Sequence, residues 1–239
     1  MMNFCIDIGN SAIKWALFNE REIVNNGYVI SHNIYDLPKV SADFYIISST
    51  IGYDNIYEQI RTIYPNIIYL DHTTPLPITN DYKTPHTLGP DRLAAAIGAF
   101  TQVHNDVLVI DIGTAITYDY ISASGHFKGG NISPGISMRL KALHEHTAKL
   151  PLINTIGDIP LLGYDTDTAI RSGVVNGIKY EIEHYIEGFF LKKPNIDIFL
   201  TGGEKIDFDN SLKNRIFADS LLVLKGLNEI LIYINSKMN

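Results

Sequence analysis

Three carboxylates stand where their neighbours could turn them to chemistry: Asp7, Asp111 and Asp91. The first two belong to a repeated hexamer. Phe4-Cys5-Ile6-Asp7-Ile8-Gly9 recurs as Leu108-Val109-Ile110-Asp111-Ile112-Gly113, an offset of 104 residues. Each copy is an apolar strand that reaches Asp and then Gly, followed by small polar residues and a second apolar run. A strand that turns back after Asp-x-Gly brings backbone N–H groups and one carboxylate to a single point. Two such points suggest two half-sites on one ligand, and a polyphosphate with a metal ion suits that chemistry.

In the first hairpin, Gly9 permits close approach of the backbone to an anion, and Asn10 and Ser11 can donate to phosphate oxygens. Asp7 can hold Mg²⁺ through water, because Mg²⁺ keeps much of its hydration shell. Lys14 could reach a phosphate from the second strand. In the second hairpin, the Thr114 hydroxyl and N–H could meet the β- or γ-phosphate, and Asp111 offers a carboxylate to a second cation. One such hairpin alone is better explained by an ordinary turn; the repetition is what weighs against that.

The third carboxylate lies in Gly89-Pro90-Asp91-Arg92. An acid in the first turn of a helix has a plain structural role, since it complements the macrodipole. With Arg92 beside it, the pair also offers one group to accept a proton and one to grip a carboxylate, as an acidic alcohol substrate would require. Two glycine-rich corners complete the set. Thr201-Gly202-Gly203 could lay flat backbone against an adenosine moiety, and Gly129-Gly130-Asn131-Ile132-Ser133-Pro134-Gly135 could pass close to substrate. Both also read as tight turns.

The elements that must position these residues follow from periodicity. Strands are predicted at 3–8, 12–18, 22–31, 45–48 and 66–70, with a helix at 53–63 and a Pro-containing loop over 71–88. Gly89 before Pro90 marks a helix start, and the body Leu93–Phe100 is small and apolar, so it must pack closely. Further strands are predicted at 107–112, 115–121, 126–131 and 196–200. Helices are predicted from Pro134 to about 148, over 166–189, and over 224–234. The recurring plan suggests two lobes, 1–105 and 106–239.

Composition sets limits. At 239 residues, 46% hydrophobic and 19% charged, the chain can bury a core. A net charge of −7 without a basic cluster argues against nucleic acid as the main partner. No apolar run reaches the roughly 18 residues of a membrane span. The start runs straight into a strand without the features of a signal peptide, and the single cysteine, Cys5, excludes an internal disulfide; both point to the cytoplasm. His144 and His146 at i,i+2 do not share a helical face, so a metal site there is not expected. No Walker A or Gly-x-Gly-x-x-Gly sequence is present.

Together these residues resemble the type III pantothenate kinases, within the acetate and sugar kinase, Hsp70 and actin superfamily. The matching elements, in order, are Asp7-x-Gly9-Asn10-Ser11-x-x-Lys14, Tyr82-x-x-Pro85-x-x-x-Gly89-x-Asp91-Arg92, Asp111-x-Gly113-Thr114-Ala115-x-Thr117, Gly129-Gly130-x-Ile132-x-Pro134-Gly135, Gly163-x-x-Thr166 leading to Ser172-Gly173, and Thr201-Gly202-Gly203. The two Asp-x-Gly hairpins resemble the superfamily; the Gly-x-Asp-Arg and Gly-Gly-x-Ile-x-Pro-Gly elements resemble this family.

The resemblance implies an α/β fold of two similar actin-like (ribonuclease H-like) lobes, each a mixed sheet with flanking helices, and an ATP cleft between them. It implies ATP-dependent phosphorylation of the primary hydroxyl of pantothenate, the first step of coenzyme A biosynthesis. Asp7, Ile8, Gly9, Asn10, Ser11, Ala12, Ile13, Lys14 and Thr114 would bind ATP with Mg²⁺. Asp91 would accept the proton, and Tyr82, Gly89, Pro90, Asp91 and Arg92 would bind pantothenate. Thr166 would do so from the neighbouring subunit of a homodimer. Asp111 would hold the monovalent cation, K⁺ or NH₄⁺. The alternatives are another small-molecule kinase of the superfamily, or a non-catalytic regulator that kept the fold.

Overall fold

The computed structural model describes residues 1–31, 33–51, 56–204, 206, 208 and 216–238. The chain divides into two compact units. Unit 1 comprises Met1–Val107, Asp119–Gly129 and Asp219–Asn239, and unit 2 comprises Leu108–Tyr118 and Gly130–Ala218.

Unit 1 is built on a five-stranded mixed sheet. Its strands β1 (Met2–Ile8), β2 (Ile13–Asn19), β3 (Glu22–Val29), β4 (Phe44–Ser49) and β5 (Ile68–Tyr69) lie in the order β3-β2-β1-β4-β5. β1 is antiparallel to β2 and parallel to β4. From Asn3 to Ile8 every residue of β1 is buried, as a central strand covered on both faces must be. Strand alternation then sorts the side chains. Phe4, Ile6 and Ile8 join Ile60 of α1 (Ile56–Ile63), Tyr64 and Ile47 in one cluster. Asn3, Cys5 and Asp7 face the other way. Asn3 donates to Asn228 Oδ1 at 2.7 Å, and Asn228 in turn donates to the Glu20 carbonyl at 2.7 Å. Asn228 lies on the C-terminal helix, which covers that face together with α2 (Pro90–Val103).

The predicted helix at 53–63 appears as α1 from residue 56, and its first residues lie outside those described. The predicted loop over 71–88 contains a two-residue strand, β6 (Thr79–Asn80), and a 3-10 turn at Pro85–Thr87. The second sheet has the order β11-β10-β7-β8-β9-β6. Its remaining strands are β7 (Val107–Ile112), β8 (Ala115–Ile121), β9 (His126–Pro134), β10 (Asp197–Gly202) and β11 (Ile216–Ala218). β11 was not expected: three residues carry too little periodicity to read as a strand. In unit 2, α3 (Ile136–Glu145) packs on α4 (Thr166–Lys192), and α5 (Leu222–Met238), the C-terminal helix, belongs to unit 1.

Candidate functional site

The two copies of the hexamer fold into turns of different length. The first leaves four residues, Gly9–Ala12, between its strands, with Gly9 N–H donating to the Ala12 carbonyl at 3.1 Å. The second leaves only Gly113 and Thr114, with Gly113 N–H donating to the Ala115 carbonyl at 3.0 Å. Asn10, Ser11 and Thr114 are exposed at the tips, whereas Ile8 and Ile13 are buried beneath theirs.

Neither Gly9 nor Gly113 has a positive φ. A Cβ on Gly9 would lie 3.6 Å from the Ala12 oxygen, and one on Gly113 3.6 Å from Asp111 Oδ1, both ordinary contacts. The chain's own packing therefore does not require glycine at either turn.

Unit 1 brings Asp7, Lys14, Asp91, Arg92 and Tyr82 into one neighbourhood. Asp7 and Lys14 are register partners across β1 and β2. Asp7 is buried, and Ser48 Oγ of the parallel strand β4 donates to its Oδ1 at 2.6 Å. Burial pushes Asp7 up from an ordinary 3.8 to about 6. The Ser48 hydrogen bond opposes this, the negative charge of Asp91 adds to it, and Lys14 again opposes it. Ser48 was missed in the sequence; its only signal was a hydroxyl ending a buried strand.

Asp91 occupies the second position of α2. Its Oδ1 accepts from the Arg92 backbone N–H at 2.9 Å. Desolvation raises its pKa, opposed by that N–H and by the Arg92 charge. Here a side chain would press on the carboxylate: a Cβ on Gly89 would stand 2.5 Å from Asp91 Oδ1. Pro90 supplies the preset φ of a first helical residue. Arg92 is buried and its Nε–Nη2 edge is taken by Asp119 of β8, a partner that was not anticipated.

In unit 2, the glycines of the strand-to-helix corner do have internal reasons. A Cβ on Gly135 would lie 2.1 Å from the Gly113 oxygen, and Gly135 N–H donates to the Thr114 carbonyl at 3.1 Å. Gly202, at φ +107, packs against the backbone of Ile112, which also accepts from the N–H groups of Gly203 and Glu204. Gly163 packs against the first turn of α4, where a Cβ would meet the Ala169 backbone at 2.4 Å. Thr166 opens α4 as an exposed residue beside its N-cap, Asp165, whose side chain accepts from Thr168 N–H at 2.8 Å.

Among the described residues, no cluster of three or more His, Cys, Asp or Glu side chains is arranged to hold a metal ion. A divalent cation at Asp7 would need the rest of its ligands from phosphate and water, as Mg²⁺ in phosphoryl-transfer sites has. The net upward shift of Asp7 and Asp91, which Lys14 and Arg92 only partly offset, fits such a cation. No helix among the described residues is long and apolar enough to cross a membrane.

The buried Asp7 has a consequence for stability. Its folded pKa lies above the unfolded value, so between about pH 4 and 6 the folded state binds the extra proton. That contribution favours folding at low pH and is lost as pH rises through this window. Asp7→Asn is therefore expected to stabilise the metal-free protein at pH 8 by about 1–3 kcal/mol and to change little at pH 4. Thermal melts at the two pH values check this; a variant no more stable at pH 8 would refute it.

The family model for type III pantothenate kinases matches residues 29–188. A type III pantothenate kinase of Phocaeicola vulgatus is 48% identical, over 99% of this chain and 100% of that protein. One from Bacteroides fragilis is 45% identical over the same shares of the two chains. Among solved structures, a protein of Campylobacter jejuni described as a Baf family transcriptional activator aligns with TM-score 0.66 at 22% identity, covering 98% of this chain and 99% of that one. At that identity the likeness shows the fold alone.

Proposed function

We propose a mechanism for this chain on one premise: it belongs to the type III pantothenate kinase family. As an enzyme of that family it uses ATP to phosphorylate pantothenate, giving 4′-phosphopantothenate, the first step of coenzyme A biosynthesis.

Asp91 is the proton acceptor in this reading. The pantothenate hydroxyl oxygen attacks the γ-phosphorus of ATP, the bond from that phosphorus to the β-phosphate bridging oxygen breaks, ADP leaves, and the hydroxyl proton passes to Asp91. The observation that carries this is the pairing of two desolvated carboxylates, Asp7 from β1 and Asp91 from α2, in one unit. Two acids at one place repel each other; Lys14 and Arg92 offset part of that cost, and a cation arriving with the ligand would offset more.

Residues 8–14 and Thr114 supply phosphate contacts. What supports this is that Gly9 and Gly113 have no internal packing need to be glycine, and that a residue without a side chain lets an external anion approach each turn closely. Mg²⁺ at Asp7 would neutralise phosphate oxygens, and a monovalent cation at Asp111 would add to that charge. Tyr82, Gly89, Pro90 and Arg92 hold pantothenate, and Thr166 completes the site in a homodimer. The dimer is supported by the exposed apolar stretch that leads to Thr166, where Leu161 and Leu162 are 84% and 85% exposed. The use of ATP and the lone cysteine support a cytoplasmic location.

ADP release tests the reading. Pantothenate is expected to elicit it, whereas glucose, acetate and N-acetylated sugars are not, and removing K⁺ is expected to depress it strongly. Release with a sugar alone would reassign the enzyme, and indifference to K⁺ or NH₄⁺ would remove the cation from Asp111.

A further inference from the structure

Arg92 does not stand free beside Asp91. Its Nε lies 3.0 and 3.1 Å from the two carboxylate oxygens of Asp119, and its Nη2 lies 2.5 Å from Oδ1. Arg92 is 7% exposed and Asp119 1%. The Tyr82 ring centre lies 5.8 Å from the guanidinium carbon, a cation–π contact. Tyr82 is itself braced: it packs at 6.2 Å from the Phe127 ring, and Gly129, at φ +113, leaves it room.

Replacing a buried ion pair by apolar groups is often neutral or stabilising, so fold stability alone is a weak reason for one in the first turn of α2. Orientation is a better one. The residue whose side chain Asp119 holds is the same residue whose backbone N–H holds the Asp91 carboxylate, at 2.9 Å. A guanidinium with its Nε–Nη2 edge occupied can offer a substrate carboxylate only its Nη1–Nη2 end.

We propose that Asp119 is a positioning residue for the phosphoryl transfer: it pins Arg92, thereby fixing the helix turn that carries Asp91 and setting which edge of the guanidinium meets the pantothenate carboxylate. This rests on the roles given to Asp91 and Arg92 above. It assigns to β8 a function that Asp119, in the run Tyr118-Asp119-Tyr120, does not show by its sequence context.

Steady-state kinetics of the full-length chain test the proposal. Asp119→Asn keeps the shape and loses the charge. It is expected to lower kcat/KM for pantothenate by about 10²-fold, the cost of misplacing a reacting group by about an ångström. The KM for ATP is expected to stay within about twofold, because the pair holds the turn of α2 that carries Asp91 and the guanidinium assigned to pantothenate. The double variant Arg92→Lys/Asp119→Asn should be little worse than either single one, since the two act as a unit. Where Asp119→Asn does not fold, Asp119→Glu, which keeps the charge but changes the reach, carries the same expectation for pantothenate and ATP. A folded variant with wild-type kcat/KM for pantothenate, equal losses for both substrates, or additive losses in the double variant would overturn the proposal. Wild-type protein that releases no ADP with pantothenate would sink the underlying assignment as well. Activity in the wild type with an insensitive variant would sink this inference only.

Discussion

Asp91→Asn is expected to lower turnover by about 10² to 10⁴-fold while leaving the binding of both substrates near normal. The asparagine keeps the volume and one oxygen, so Arg92 N–H retains its acceptor and the first turn of α2 its geometry. What disappears is the ability to take the hydroxyl proton. Desolvation raises the Asp91 pKa from its ordinary value, which makes the carboxylate a better base. Asp7 titrates nearby, at about 6 in the ligand-free protein. Wild-type kcat/KM should therefore fall as pH drops through that region, while the residual activity of Asp91→Asn should lose the part of this dependence that belongs to residue 91. Rapid-quench measurement of ADP formation, with isothermal titration of pantothenate and ATP, separates chemistry from binding. Near-normal turnover would remove Asp91 from its role. Lost pantothenate binding would make it a binding residue instead.

What could be read from the sequence, and what could not, divides along a physical line. The Asp7 and Asp111 hairpins, the start of α2 at Gly89-Pro90 and the long α4 were legible because each is encoded within a few residues: continuous apolar runs, turn chemistry, capping. The same local logic put Asp7 on the face of β1 opposite Phe4 and Ile6. Asp119 and Ser48 were not legible. They meet Arg92 and Asp7 across 27 and 41 residues of sequence, and nothing local distinguishes a buried acid or serine in a strand from an exposed one. The difference between the two hairpins was hidden too. The second strand of the first hairpin begins five residues after Ile8, that of the second three residues after Ile112, and the repeated hexamers themselves do not encode this. The small apolar body of α2 did announce close packing, but not its partner.

That partner decides the second large effect. α2 carries Asp91 and Arg92 at one end and crosses α5 along its body, where glycine faces glycine. A Cβ on Gly226 would lie 1.8 Å from the Ala94 carbonyl oxygen, 2.6 Å from its carbon and 3.0 Å from Gly98 N. A Cβ on Gly98 would lie 2.3 Å from the Leu222 oxygen. Every one of these neighbours is backbone, so no side chain can swing aside and the two helices would have to move apart. Overpacking that side chains can absorb costs about 1–3 kcal/mol; Gly226→Ala is expected to exceed that range, although alanine is intrinsically the better helix former by about 1 kcal/mol. In a urea titration the midpoint should fall sharply or the folded baseline vanish. Gly177→Ala is the control. In α4, a Cβ there meets nothing within 4 Å, so the same exchange should be neutral or gain up to about 1 kcal/mol. If Gly226→Ala folds at low temperature, its remaining loss should include pantothenate turnover, because α2, which carries Asp91 and Arg92, is the element its Cβ would displace. A Gly226→Ala protein as stable as wild type would show that the helix crossing has slack, and that the seat of Asp91 is not set by it.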